Sequence, residues 1–262
     1  MFSNAVPWRL KPFQSVFLAI PINQTALLAV MFFGIAQTGL FQTNLGIDPD
    51  CYQFSPSAYQ MIYHPIDTRN KAILYEFYRQ YLPELSVEDW QKIGDLHKIR
   101  FIKKGEVLVK AGQVCDWFGL VLEGTFRFFH RLGTKEIVGE FFTKGHLVSS
   151  FASYLTALPS RIEVDALEDG ILIVMTKEAE NQIADRYPAY YKITKRTRDL
   201  VYIQAYTRYV THLTDQAEVR YLHLMEQRPE LLQKVPLYMI ASFLGITPEA
   251  LSRIRKNISK KH

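Results

Sequence analysis

Cysteine is nearly absent from this chain: Cys51 and Cys115 are the two among 262 residues. Two thiols cannot build a disulfide scaffold, a four-thiolate iron-sulfur site or a zinc site of cysteines alone. A reducing cytoplasm is the compartment that fits. Glycine and proline, 13 and 12 residues, follow no period, which excludes collagen-like and low-complexity readings. No G-x-S-x-G, P-loop or G-x-G-x-x-G occurs. Small β-barrels that house metal-dependent oxygenases or isomerases need an H-x-H pair and a third ligand. The middle of this chain offers only His130 and His146, sixteen apart, and no enzyme is expected. What is present, 48% hydrophobic and 22% charged residues, describes a folded protein of roughly two domains.

Charge is missing from one long stretch. No Asp, Glu, Lys or Arg occurs between Lys11 and Asp48, and residues 16–41 are mostly apolar. Pro21, Asn23, Gln24 and Thr25 interrupt this run and leave 26–36 as its continuous apolar part, where a membrane helix needs about 20 residues. Three readings stand: a single membrane anchor or signal, a further folded or disordered arm, and an upstream start with Met61 as the natural first residue. Residues 1–60 are therefore set apart as an apolar extension.

From residue 70 onward the pattern is that of a globular protein. Residues 72–80 read as a helix, and Ser86 with Asp89 three positions on forms a capping box opening a second helix over 87–99. Between 101 and 176 come short runs rich in Val, Ile, Phe and Leu (EVLVKAG, WFGLVLEG, TFRFFHRLG, EIVGEFF, RIEVDAL, GILIVMT) punctuated by glycine. Such runs indicate a small antiparallel barrel, sandwich or roll. No stretch among them is long enough for a βαβ crossover, so a parallel sheet is excluded.

The period changes after the sheet. Residues 178–187 read as a short helix, Pro188 breaks it, and 189–213 run on without Pro or Gly as a long helix. Along it Ile193, Leu200, Thr207 with Val210, and Thr214 recur at about seven residues, with Thr197, Ile203 and Gln204 between them. This seam either pairs with its copy in a second subunit or packs on its own roll.

The last segment, VPLYMIASFLGITPEALSRIRKNI (235–258), reads as helix, tight turn at Gly245 and second helix with Thr247 as cap and Pro248 in its first turn. This is a helix-turn-helix: Ala241 is small where the helices cross, and Ile240, Leu244, Ile246, Leu251 and Ile254 form the buried wedge. Glu249, Ser252, Arg253 and Lys256 then project together from the second helix. Arg253 can donate twice to guanine O6 and N7, Glu249 can accept from cytosine N4, and Ser252 can serve a base edge or a phosphate. Thr247, Arg255, Lys256, Lys260 and Lys261 are candidate phosphate contacts. The plain alternative for Glu249 and Arg253 is an exposed i,i+4 ion pair.

Sheet roll, long helix and helix-turn-helix, in this order, resemble the Crp/Fnr superfamily of bacterial transcription regulators over residues 71–261. TPEALSR (247–253) is similar to that superfamily's recognition helix, whose E-x-x-S-R spacing is met by Glu249, Ser252 and Arg253. The resemblance implies an α+β fold: an antiparallel, jelly-roll type β-roll of the cyclic nucleotide-binding kind with flanking helices (61–185), a dimerisation helix (186–214) and a DNA-binding domain (215–262). It also implies a homodimer joined along 189–213, with each recognition helix entering one half-site of a palindrome in double-stranded DNA. RNA polymerase and a small-molecule effector are further candidate partners, and membrane contact stays open.

The effector site departs from the family's pattern. Members that bind cyclic AMP carry Gly-Glu followed about ten residues later by Arg-Ser. Here Ser149 and Ser150 replace Gly-Glu, and Ser160 and Arg161 invert Arg-Ser. The ribose partner is lost, and the inversion turns Arg161 to the opposite strand face. Cyclic AMP is therefore not expected as effector, although Ser149, Ser150, Ser160 and Arg161 remain the candidate pocket for another small ligand. Cys51 and Cys115 do not supply an iron-sulfur cluster, and His130 and His146 do not by themselves establish a haem, so no cofactor is assigned. The competing reading is a membrane-tethered or partner-binding sensor with weak or no specific DNA binding.

Overall fold

The structure, a computed structural model, describes residues 63–260. Residues 16–41, Cys51, Met61 and Lys261, on which several expectations fall, lie outside the described residues. Among the described residues no helix is long and apolar enough to cross a membrane.

Two helices lead into the sheets. α1 (Thr68–Tyr81) is opened by Asp67, whose carboxylate accepts from Asn70 N at 2.9 Å. α2 (Val87–Asp95) is opened by Ser86, whose hydroxyl accepts from Asp89 N at 3.1 Å, so the expected cap is in place. The helix nevertheless stops at Asp95: residues 98 and 99, expected as helix, begin strand β2 (Lys98–Ile102). Tertiary pairing overrides the local pattern there, because Ile99 and Ile102 are buried along a neighbouring strand opposite Ile173 and Gly170.

The remaining strands are β1 (His64–Pro65), β3 (Val107–Val109), β4 (Trp117–Glu123), β5 (Phe126–Leu132), β6 (Lys135–Phe142), β7 (Leu147–Val148), β8 (Glu163–Ala166) and β9 (Gly170–Thr176). They form two sheets, β1-β2-β9-β4-β7 and β3-β8-β5-β6, with every pairing antiparallel. Trp117, Val121, Phe126, Val148, Val164, Leu172 and Val174 fill the core of this roll. A second core, with Leu74, Tyr78, Trp90, Phe118, Leu120, Ile173, Ile183, Tyr190 and Ile193, lies between the five-stranded sheet and its helices. β6 carries one extra residue, Gly139, where the register against β5 shifts. A Cβ there would fall 1.6 Å from the Phe128 ring, so only glycine allows this bulge.

Beyond β9 the chain is helical: α4 (Lys177–Arg186), a 3₁₀ turn (Pro188–Tyr190), α5 (Tyr191–Thr214), α6 (Ala217–Gln227), α7 (Pro229–Lys234), α8 (Leu237–Phe243) and α9 (Pro248–Ile258). The seam read along α5 needs correction. Ile193 and Thr197 are buried against the chain's own roll, while Gln204, Thr207 and Thr214 are exposed with no apolar surface to offer. The bare apolar stripe lies roughly a third of a turn round the helix. Tyr202, Tyr206, Tyr209 and Leu213 are 69%, 56%, 62% and 67% exposed, at the i, i+4, i+7, i+11 spacing that aligns one face. Ile203 flanks them, and Tyr202 stacks on Tyr206 with ring centroids 6.1 Å apart.

One acid is buried where α4 meets its neighbours. Glu180 is fully inaccessible, accepts a hydrogen bond from Tyr154 Oη at 2.7 Å and lies 3.8 Å from Lys177 Nζ, while its Oε1 has no hydrogen-bond partner. Burial pushes its carboxyl up from 4.5 to about 8, against the lowering pull of Tyr154, Lys177 and Arg198. The folded chain therefore holds a proton that the unfolded chain releases, and the stability this proton confers is lost as pH climbs from about 4.5 to about 8. Replacing Glu180 by Gln should flatten that slope and make the variant more stable than wild type at pH 8, by on the order of a few kcal/mol. Thermal melts at pH 5, 6.5 and 8 read the effect, and parallel curves for the two proteins would refute it.

Candidate nucleic-acid interface

The turn between α8 and α9 is built by backbone chemistry. Gly245 has φ +69, a left-handed value that an L side chain adopts only with strain. Its N–H donates to Ser242 O and the next, from Ile246, to Ala241 O. Ala241 and Ile240 are completely buried, Leu244 and Leu251 nearly so, and Ile246 and Ile254 pack on them as partly buried neighbours. The carbonyls at the end of α8 are held by cations: Arg220 donates to Leu244 O through Nε at 3.2 Å and Nη2 at 2.9 Å, and Arg208 Nη2 donates to Phe243 O at 3.5 Å. This placement suits the negative end of the helix.

α9 starts at Thr247, whose hydroxyl accepts from Ala250 N at 3.2 Å. Leu251 and Ile258 turn inward, and Glu249, Ser252, Arg253, Arg255, Lys256 and Asn257 are exposed. Among the described residues Arg253 forms no hydrogen bond or ion pair, so the i,i+4 pair with Glu249 does not close. Glu249 is held below the usual carboxylate range by its own backbone amide and by the Thr247 hydroxyl, with the Arg253 charge a smaller cause. Thr247, named above as a phosphate contact, is thus already engaged as the acceptor that caps the helix. Arg255, Lys256 and Lys260 are exposed at this end, their side chains without a partner among the described residues. Asn257, one turn past Arg253, shares the exposed side. A reading led by charge passes over it, although its amide can meet adenine N6 and N7 in the same way that Arg253 can meet guanine.

The helix-turn-helix is seated on the roll. Val138 and Phe141 of β6 belong to the same apolar cluster as Tyr221, Leu224, Leu231, Met239, Ile240 and Leu251. Val138 N donates to Ser242 Oγ at 3.0 Å, and the Phe141 and Phe243 rings lie 5.2 Å apart. Glu140 accepts from Arg208 Nη1 of α5 at 2.9 Å and from Arg228 Nη1, just before α7, at 2.8 Å, and Arg228 Nη2 also donates to Phe141 O at 2.7 Å.

The candidate effector residues divide. Ser150 Oγ and Ser160 Oγ are 2.7 Å apart, both buried at the start of α3 (Phe151–Thr156) and the approach to β8. Ser149 Oγ donates to Trp117 O at 2.9 Å, and Ser160 Oγ also reaches Ile162 O at 2.7 Å. Each of these hydroxyls is satisfied within the protein. Arg161 stands outside this group, exposed, with only its carbonyl engaged, 3.2 Å from His130 Nδ1. His146 sits elsewhere, its Nδ1 3.0 Å from Thr143 O, and burial lowers its pKa. Among the described residues no group of three or more His, Cys, Asp or Glu is placed to hold a metal ion.

Comparison with known proteins agrees with this architecture. The cyclic nucleotide-binding domain family matches residues 99–187. No curated protein sequence matches the chain. Among solved structures, FixK2 from Bradyrhizobium japonicum is similar with a TM-score of 0.55 at 16% identity, over 63% of this chain and 85% of that one. A transcriptional regulator of the Crp/Fnr family from Eubacterium rectale gives 0.54 at 14%, over 68% and 86%. A CooA variant from Carboxydothermus hydrogenoformans gives 0.51 at 16%, over 69% and 83%. Residues 99–187 thus match the cyclic nucleotide-binding domain family, in a chain whose fold is similar to that of Crp/Fnr regulators.

Proposed function

We propose that this protein is a sequence-specific, DNA-binding transcription regulator that acts as a homodimer on a palindromic site and does not take cyclic AMP as its signal. The observation that carries the reading is the bare face of α9. Ser252 and Arg253 are exposed, and among the described residues the Arg253 guanidinium has no partner, on a helix whose inward side is locked into a packed core. Glu249, Ser252 and Arg253 are the base-reading groups, and Arg255, Lys256, Lys260 and Lys261 the phosphate contacts. The dimer is joined through Tyr202, Tyr206, Tyr209 and Leu213, since a stripe this apolar on an otherwise solvated helix calls for cover. The sealed serine cluster speaks against a cyclic nucleotide, because the hydroxyls that would greet it already bond to one another and to backbone.

Selection of bound duplexes from a random pool at two salt concentrations tests the reading. An inverted repeat should be enriched. With Arg255, Lys256, Lys260 and Lys261 of both subunits on phosphates, log K should fall against log salt with a slope of roughly −7. A pool that stays unenriched defeats it.

A further inference from the structure

We infer that Glu140 is a positioning residue that fixes the angle between α5 and the helix-turn-helix, and thereby restricts the protein to one spacing between half-sites. The inference rests on the DNA-binding reading above and deepens it.

α5 ends at Thr214, and Asp215 and Gln216 are both extended before α6 begins, with ψ of 144 and 152. Two extended residues between helices carry no helical hydrogen bond across the joint, so covalent connection alone leaves the reading unit free to swing. What crosses the joint is side-chain chemistry: His212 Nε2 of α5 lies 3.3 Å from Phe243 O, and two arginines meet at one carboxylate. Glu140 Oε2 takes Arg208 from α5, and Glu140 Oε1 takes Arg228 from the start of α7. Arg208 in turn lies 4.1 Å over the Phe243 ring at the end of α8. One acid on a sheet strand therefore ties the long helix to two separate points of the reading unit. α8 is itself seated on the same strand through Ser242 and Phe243, and α9 is locked to α8.

Both arginines are largely covered, with side chains 25% and 18% exposed. Burial lowers the Arg208 pKa, and the Glu140 carboxylate opposes that fall. Removing the negative charge leaves two covered guanidinium groups side by side, with Glu230, 3.9 Å from Arg228 Nε and itself partly exposed, as the remaining nearby acid, a state that favours opening. The geometry of DNA makes such opening visible. One added base pair moves a half-site by about 3.4 Å and turns it by about 35°. A rigid joint rejects that displacement, and a loose one follows it.

The test compares full-length wild type with Glu140→Gln in selections from the same random duplex pool, scoring the distance between inverted repeats in the enriched sequences. Wild type should enrich one spacing and Glu140→Gln several adjacent spacings around it, with the same half-site sequence. An unchanged single spacing overturns the inference even if the melting temperature falls, since loss of stability alone does not broaden a spacing profile. Uniformly tighter binding by the variant at the original spacing also overturns it, because the clamp would then hold the unit away from DNA. Wild type enriching repeats with no preferred spacing overturns it while leaving the DNA-binding reading intact, and an unenriched wild-type pool removes both. Should Glu140→Gln not fold, Arg228→Lys keeps the charge, gives up the donor to Phe141 O, and is read against the same outcomes.

Discussion

Arg253→Ala should abolish discrimination at a single G·C pair in each half-site, with a loss of roughly 1–3 kcal/mol against the preferred base, about 5- to 150-fold. The basis is the exposure of Arg253, which among the described residues makes no hydrogen bond or ion pair: its removal takes away only a minor pull on the Glu249 carboxyl, so the change appears in base preference and not in folding. Titration of the selected palindrome and of its single-base variants checks this. Arg253→Ala should bind all four bases at the affected position alike and keep its preferences elsewhere. Lys260→Ala should instead weaken every sequence to a similar degree and reduce the salt slope by about 1 per subunit contact. An Arg253→Ala protein that still prefers the same base at every position would show that α9 does not lie in the major groove as proposed.

Placing a charge in the α5 stripe should have the largest effect of all. Tyr206→Glu with Leu213→Glu sets like charges at the centre of the surface where the second copy is proposed to dock, and the pair should sediment as a monomer at micromolar concentration. Loss of the linked second half-site then lowers affinity for the palindrome by ~10²- to 10⁴-fold. Gln204→Glu is the companion control. Gln204 belongs to the seam suggested by the heptad count but points away from the tyrosines, and its replacement should leave the mass unchanged. A monomeric Gln204→Glu protein, or a dimeric double variant, would mean that the chain pairs through another face.

The contrast between those positions shows what the sequence reveals and what it hides. The helix-turn-helix is legible because several local rules agree within about 20 residues. Gly245 sits where φ is positive, Thr247 caps, Pro248 starts the helix, and Leu251 and Ile258 face inward opposite Arg253 and Lys256. The central strands are legible from their β-branched and aromatic runs. The α5 seam is misread because a heptad count runs on spacing and admits threonines and a glutamine beside the aliphatic residues. Ile193 meets the count but is absorbed by the chain's own core, while the tyrosines, amphipathic and counted as neither apolar nor polar, make the bare face. β7 and α3 escape because two and six residues are too few to display a period. The Glu140 clamp is invisible from the sequence for a different reason: its partners lie 68 and 88 residues away, and no local pattern carries information about such a meeting.

The shared third cluster bears on how a protein of this design diversifies. Val138 and Phe141 come from the roll yet complete the underside of the helix-turn-helix among Leu224, Leu231, Met239 and Ile240. The helix-turn-helix is consequently not an exchangeable unit: grafted onto a different domain it would lose its floor, and a new domain could accept it only by bringing an equivalent strand. Val138 and Phe141, remote from the serine cluster, are thereby held to the packing needs of the helix-turn-helix.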